Sequence, residues 1–203
     1  MKLSSVQIDA MQELGNIGAA HAATTLSQML SSTVEMSVPK IKVVDVAQLA
    51  EHIGEEPAAL VVFELQGEIP HGGYIIFYIS RASAVRLTNT MLGLTDPDRS
   101  LNEMDESALL EVGNIMASAF LDATAELLGL VMLPSPPSLT IDMAHAAMES
   151  LIAQMQEEID EVMLFSTELM CAEHRIDSDI IMMPESSMLQ TFVDRLENLM
   201  NPS

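Results

Sequence analysis

The fold is decided by two stretches of sequence, DAMQELGN at residues 9–16 and SALLEVGN at residues 107–114. Sliding the first onto the second requires an offset of 98 residues (107 − 9 = 98). Four chance identities at one preset offset have odds on the order of one in 10^5. The four identities are Glu13 with Glu111, Gly15 with Gly113, Asn16 with Asn114 and Ile17 with Ile115, and further on Pro39 also matches Pro137. The chain therefore contains two copies of one structural unit.

We place the two repeats at residues 1–97 and 98–203 of a single compact domain. TDPDRS, residues 95–100, has the composition of a turn and is the predicted linker. Each repeat begins with a long stretch of helical periodicity, residues 5–31 or 103–130. A strand interrupted by proline, a shorter helix, two strand-like runs and a closing helix follow in each half. The sequence thus predicts an α+β fold, in which a pseudo-two-fold duplicated unit packs long exposed helices on a mainly antiparallel sheet.

Composition excludes several classes of function. The formal net charge is −22, from 8 basic and 30 acidic residues. Such a surface repels nucleic-acid phosphates and anionic lipid headgroups, so neither is an expected partner. No apolar run reaches membrane-spanning length, and the N-terminus does not resemble a signal peptide. A single cysteine, Cys171, suits a reducing compartment, and we predict a cytoplasmic location.

One polar stripe recurs on both long helices. At 100° per residue, Asp9, Glu13 and Asn16 fall within about 60° of one another, opposite the apolar side of their helix. The equivalent stripe in the second copy consists of Ser107, Glu111 and Asn114. Polar residues on an outer helix face usually serve only solvation. Asparagine is a poor helix former, however, and its use twice beside Glu suggests a specific role.

The pattern of Asp or Ser, Glu, Asn and a distant Pro resembles the signature of the CheC/CheX/FliY phosphatases. Both copies fit it, the first with Asp9, Glu13, Asn16 and Pro39, the second with Ser107, Glu111, Asn114 and Pro137. The flanking ELGNIGAAHAATTLSQML and EVGNIMASAF are also similar to the CheC branch. Within this family CheX carries one such site per chain and FliY carries an additional C-terminal domain. Two sites in 203 residues point to the CheC type.

The resemblance implies hydrolysis of the aspartyl phosphate of a CheY-like response regulator in chemotaxis. Asn16 and Asn114 would orient the attacking water, since an amide both accepts and donates hydrogen bonds. Glu13 and Glu111 would grip a lysine of the regulator. Asp9, Ser107, Pro39 and Pro137 would support these residues. The regulator is expected to supply the Mg²⁺, so this chain needs no cofactor or metal of its own.

Two alternatives from other classes stay open. The first is a non-catalytic adaptor that binds the regulator without hydrolysing its phosphoryl group. The second is a regulatory partner of the chemoreceptor deamidase CheD, which many CheC proteins bind. The helix predicted at residues 144–159 carries surplus apolar surface that suits a partner, although an ordinary amphipathic helix has the same pattern.

Overall fold

The two sequence repeats fold into two series of elements in the same order. In the computed structural model, residues 5–67, 72–154, 159, 161–171 and 174–200 are described. The first half contains α1 (Ser5–Leu30), β1 (Val34–Met36), β2 (Lys40–Asp45), a 3₁₀ turn (Val46–Gln48), α2 (Leu49–His52), β3 (Pro57–Gly67), β4 (Gly73–Ser80) and α3 (Arg81–Leu92). The second half contains α4 (Glu103–Leu128), β5 (Met132–Pro134), β6 (Ser138–Met143), α5 (Ala144–Gln154), β7 (Glu161–Cys171), β8 (His174–Pro184) and α6 (Ser186–Met200).

The two halves exchange strands. The sheet order is β1-β7-β8-β4-β3-β5, with β2 also paired to β7 and β6 also paired to β3. The first two strands of the first half, β1 and β2, therefore pair with β7 of the second half. In the same way β5 and β6 of the second half pair with β3 of the first. Every pair among the described strands is antiparallel.

The strand registers obey a pseudo-two-fold axis. Lys40 of β2 lies opposite Ser166 of β7, and Ser138 of β6 lies opposite Val62 of β3. The first members of these pairs are 98 residues apart (138 − 40 = 98), and the second members are 104 apart (166 − 62 = 104). The same differences hold at the far end of both ladders, where Asp45 faces Glu161 and Met143 faces Pro57. The predicted α+β fold with a duplicated unit is confirmed.

Apolar side chains fill both faces of the sheet. Val61 and Phe63 of β3 pack in the larger core together with residues of α1, α4, α3 and α6. Leu60 and Val62, pointing the other way, pack in a smaller core with residues of α2 and α5. Strands that are buried on both sides need apolar residues at successive positions. This explains the continuous run AALVVF in β3.

Two glycines let the long helices approach the sheet closely. A Cβ placed on Gly113 of α4 would lie 2.8 Å from the Val61 Cβ. A Cβ on Gly15 of α1 would lie 3.1 Å from a ring carbon of Phe165. Val61 and Phe165 occupy equivalent positions of β3 and β7, so both contacts obey the pseudo-two-fold. The repeated glycine of the motif therefore serves helix-on-sheet packing.

We expect Gly113→Ala to lower the free energy of unfolding by about 1–3 kcal/mol, because its new methyl group meets the rigid Val61 Cβ in a packed core. Gly15→Ala is the matched control. Its methyl group meets the edge of the Phe165 ring at 3.1 Å and the Pro39 Cβ at an ordinary contact distance of 3.5 Å, so its loss should be smaller. Urea unfolding of both variants measures the difference, and an equal loss in both would contradict this account of the packing.

A buried ion pair ties the linker between the halves to α4. Arg99 donates to both carboxylate oxygens of Asp105, at 2.6 and 2.5 Å, to Asn89 Oδ1 at 2.6 Å and to Thr88 Oγ1 at 2.7 Å. Asp105 is completely buried and also accepts from the backbone N–H of Asn102, which caps α4. These hydrogen bonds, led by the one from Arg99, lower the pKa of Asp105 to about 2. The predicted linker is thus a loop with a fixed conformation.

No helix in the described ranges is long and apolar enough to cross a membrane.

Candidate functional site

The polar stripe of the second half lies open on α4. Ser107, Glu111 and Asn114 are all exposed. The Ser107 hydroxyl donates to the Glu103 backbone carbonyl at 3.0 Å, a bond within its own helix. Neither Glu111 nor Asn114 forms a side-chain hydrogen bond with another described residue. A carboxylate and an amide therefore stand one turn apart with their polar atoms available to a partner.

The stripe of the first half differs in one respect from the prediction. Asp9 and Glu13 are exposed, as predicted, but Asn16 is only half-exposed. Its Nδ2 donates to Glu13 Oε2 at 3.4 Å. Its Oδ1 is buried and accepts no hydrogen bond from the residues that the structure describes. The two asparagines occupy equivalent positions in sequence but differ in their access to solvent.

The two motif prolines explain part of this difference. Pro39 is buried, and its Cβ lies 3.5 Å from the place of a Cβ on Gly15, the residue beside Asn16. Gln12 Nε2 donates to the Pro39 carbonyl oxygen at 2.6 Å, which ties the loop to α1. In the second half Pro137 is exposed. The position equivalent to Gln12 is Leu110, which has no side-chain donor. The loop after β1 thus encloses its site more closely than the loop after β5.

A pair of serines anchors these loops, and the sequence analysis missed them. Ser37 donates its N–H to the Glu168 carbonyl at 2.9 Å, and its Oγ accepts from the Glu168 N–H at 2.9 Å. Ser135 makes the same two bonds with Glu64, both at 2.9 Å. The serines are 98 residues apart, two residues before each motif proline. This repeated identity in the sequence could have revealed them.

At the contact between α1 and α4, equivalent positions of the two helices carry side chains of different size. A Cβ on Gly18 would lie 3.0 Å from the ring of Phe120. Under the offset of 98, Gly18 is equivalent to Met116, and Phe120 is equivalent to Ala22. All four are buried. The small Gly18 thus makes room for the ring of Phe120, and the equivalent pair of positions in the other half is Met116 with the small Ala22.

A groove of about 400 Å³ runs between α1 and α4 and borders the second site. We call it the α1/α4 groove. Its polar lining residues are His21, Thr24 and Thr25 of α1, and Asn114, Ser118 and Asp122 of α4. Thr24 and Asp122 are equivalent positions, so the groove straddles the pseudo-two-fold axis. Of the two motif asparagines, Asn114 lines it, whereas Asn16 does not.

The arrangement suits the positioning of a water molecule more than acid–base or metal chemistry. Among the described residues, no three His, Cys, Asp or Glu side chains are placed to hold a metal ion. The second site instead offers an unengaged amide, an unengaged carboxylate and a groove beside them. An amide can accept one hydrogen bond from a water molecule and donate another to a neighbouring oxygen.

Comparisons with known proteins agree with this geometry. The model of the CheC-like family matches residues 6–43 and residues 104–141. The chain is similar to the CheC-like family over these two segments. The segments begin 98 residues apart, and each runs from a long helix into the strand after the motif proline.

Relatives and solved structures extend the likeness over most of the chain. The CheY-P phosphatase CheC of Bacillus subtilis is 27% identical over 186 residues, which cover 88% of each chain. The crystal structure of Thermotoga maritima FliY has a TM-score of 0.76 at 20% identity, covering 98% of this chain and 99% of that one. A CheX–CheY–BeF₃–Mg²⁺ complex from Borrelia burgdorferi has a TM-score of 0.50 at 21% identity, covering 85% and 98%. These two structures share the fold.

The helix that the sequence analysis offered as a partner face is α5. It spans Ala144–Gln154, and residues 155–158 lie outside the described part of the chain. Ala147 and Met148 are buried in the smaller core, while Ile152 is half-buried beside a shallow groove of about 300 Å³. A contact with CheD at this helix stays a prediction.

Proposed function

We propose that this chain is a phosphatase that hydrolyses the aspartyl phosphate of a CheY-like response regulator in chemotaxis. One observation carries the proposal. The fold places a Glu and an Asn one turn apart, at equivalent positions on the two long helices, with their stripe directed away from the core. The names of relatives support the same function, since the B. subtilis protein is a CheY-P phosphatase and the CheX structure contains CheY.

We assign to Asn16 and Asn114 the role of orienting the attacking water. Hydrolysis of a phosphoryl group needs a water in line with the leaving oxygen and compensation of charge on the equatorial oxygens. The regulator would provide the charge compensation through its own Mg²⁺ and lysine. The phosphatase then contributes mainly the orientation of the water, and holding a reactant in place lowers the barrier substantially. Asn114 suits this role best, because its amide is exposed and unengaged by other described side chains.

Glu13 and Glu111 are assigned to docking. Each lies one turn before its Asn and reaches a basic group at the rim of the regulator's pocket. A carboxylate bound to a lysine forms a charge-assisted hydrogen bond, which is shorter and stronger than a neutral one. Asp9 and Ser107 extend the same stripe by one more turn, and the prolines shape the loops behind it. We place this reaction in the cytoplasm, where response regulators act.

A dephosphorylation time course tests the proposal. A phosphorylated CheY-like regulator from the same organism is mixed with about one-tenth as much of this chain, and its remaining phosphoryl content is followed. Repeated turnover, with loss of the phosphoryl group well above the regulator's own rate, is expected. A chain that binds the phosphorylated regulator but leaves this rate unchanged would be an adaptor, and the proposal would fail.

Replacing Glu13 and Glu111 together by Gln should weaken binding to the regulator about tenfold or more, since a hydrogen bond to a charged group typically contributes about 1.5–3 kcal/mol. Raising the salt concentration should reduce the advantage of the parent protein. Glu106→Gln is the control, because Glu106 lies on the same helix but off the stripe. Titration with a stable phosphoryl mimic on the regulator measures the affinity. Tight binding by a double variant that fails to hydrolyse would place the Glu pair in the chemical step.

A further inference from the structure

The α1/α4 groove extends the second site beyond the family motif. It begins at Asn114 and continues along α4 past Ser118 to Asp122, each about one turn from the last. The opposite wall, with Thr24 and Thr25, comes from the first half of the chain. The second site is thus composite, because residues of both repeats border the space beside its asparagine.

The acidic residues in and around the groove differ in whether they have an ion-pair partner. Asp122 is exposed and forms no ion pair with any described residue. The neighbouring carboxylate, Glu126, lies 3.6 Å from His21 Nε2 and is therefore already matched with a partner when the imidazole is protonated. Glu111 lies farther back along the stripe, beyond Asn114. The groove therefore ends at one carboxylate, Asp122, that has no ion-pair partner among the described residues.

The volume also limits what the groove can accept. About 400 Å³ holds one or two side chains but no folded element. The α1 position that is equivalent to Asp122 is Thr24, so duplication alone does not account for the acid. A cationic side chain that enters along the hydroxyl-lined wall would meet this carboxylate two turns beyond Asn114. It would fix the regulator at a second point, in addition to the contact assigned to Glu111.

We infer that the α1/α4 groove is a docking subsite of the second site, which receives a basic side chain of the phosphorylated regulator on the carboxylate of Asp122. This inference rests on the proposed function and deepens it. Asp122 acts as a specificity-determining residue that touches the partner but not the reacting atoms. Asn16 does not line the groove, so within the described part of the chain this subsite belongs to the second site.

The test uses the full chain carrying Asn16→Ala, so that the measured hydrolysis comes from the second site alone. In this background Asp122→Asn should raise the KM for the phosphorylated regulator about tenfold and leave kcat within twofold, while Asp122→Glu should restore most of the loss. Thr25→Phe, which fills the groove without changing the charge, should also raise KM. The matched control is Glu149→Gln, an equal loss of charge on α5 at the other face of the sheet, which should change neither constant.

A partner scan identifies the basic group. Each Lys or Arg on the regulator is changed singly to Glu and tested against the Asp122→Lys variant of this chain. One of these changes should recover affinity, because it restores the ion pair with the two charges exchanged. If the Asp122→Asn variant hydrolysed normally and kept the parent's KM, the docking role of the groove would be disproved. The proposed function would remain intact. If the parent does not hydrolyse, titration with the phosphoryl mimic still decides the matter. Equal affinity of parent and Asp122→Asn would then overturn the groove as well.

Discussion

Replacing Asn16 and Asn114 together by Ala is expected to remove nearly all of the acceleration, at least about 100-fold, because loss of the orienting group leaves the attacking water misplaced. The melting temperature should stay within a few degrees of the parent. Asn114 is exposed, and Asn16 has a buried oxygen without a described partner, so neither side chain contributes much to stability. Phosphate release and thermal melts measure the two effects. Gln28→Ala removes another exposed amide of α1 and serves as the control.

The two single variants should not be equal. Asn114 faces an open groove, whereas Asn16 donates to Glu13 and is half-buried. We therefore expect Asn114→Ala to lose more activity than Asn16→Ala. A fully active double variant would contradict the mechanism, and a larger loss in Asn16→Ala would contradict this ranking of the sites.

Asp105→Asn should lower the free energy of unfolding at pH 7 by about 3–5 kcal/mol. The change leaves the largely buried guanidinium of Arg99 without its carboxylate, and breaking one side of a buried pair is costly. Asp98→Asn is the control in the same linker, where an exposed carboxylate should change stability by about 0.5 kcal/mol at most. Urea unfolding measures both variants.

The same ion pair predicts a pH dependence. The folded pKa of Asp105 is about 2, below the ordinary value of about 3.9 for an unfolded chain. The carboxylate therefore stabilises the fold by about 2–3 kcal/mol above pH 4, and this contribution is lost as the pH falls from about 4 to about 2. The difference in unfolding free energy between the parent and Asp105→Asn should shrink over this window. A difference that stays constant down to pH 2 would contradict the assignment.

Much of the fold follows from the repeat in the sequence. The offset of 98 predicted two equivalent halves, and helical periodicity located α1 and α4 nearly to the residue. Pro39 and Pro137 located the breaks between paired short strands. These features are local, since periodicity and proline act within a few residues along the chain. The division at residues 97 and 98 stays a prediction.

The sequence could not supply what depends on contacts between the halves. The exchange of β2 and β6 joins residues between 76 (138 − 62) and 126 (166 − 40) positions apart, and no local pattern encodes it. The half-burial of Asn16 depends on the loop that holds Pro39, and Gln12, which ties that loop down, has no counterpart in the second half. The α1/α4 groove likewise needs both repeats.

The division of labour between Asn and Glu is tested most directly by one titration. The first-order rate of phosphoryl loss from the regulator is measured against increasing concentrations of the chain, up to saturation. For the parent the rate should rise to a plateau. The double Asn variant should saturate at similar concentrations, with a plateau close to the regulator's own rate, and the double Gln variant should need about tenfold more protein to approach the parent's plateau. A double Asn variant that reaches the parent's plateau would contradict the account.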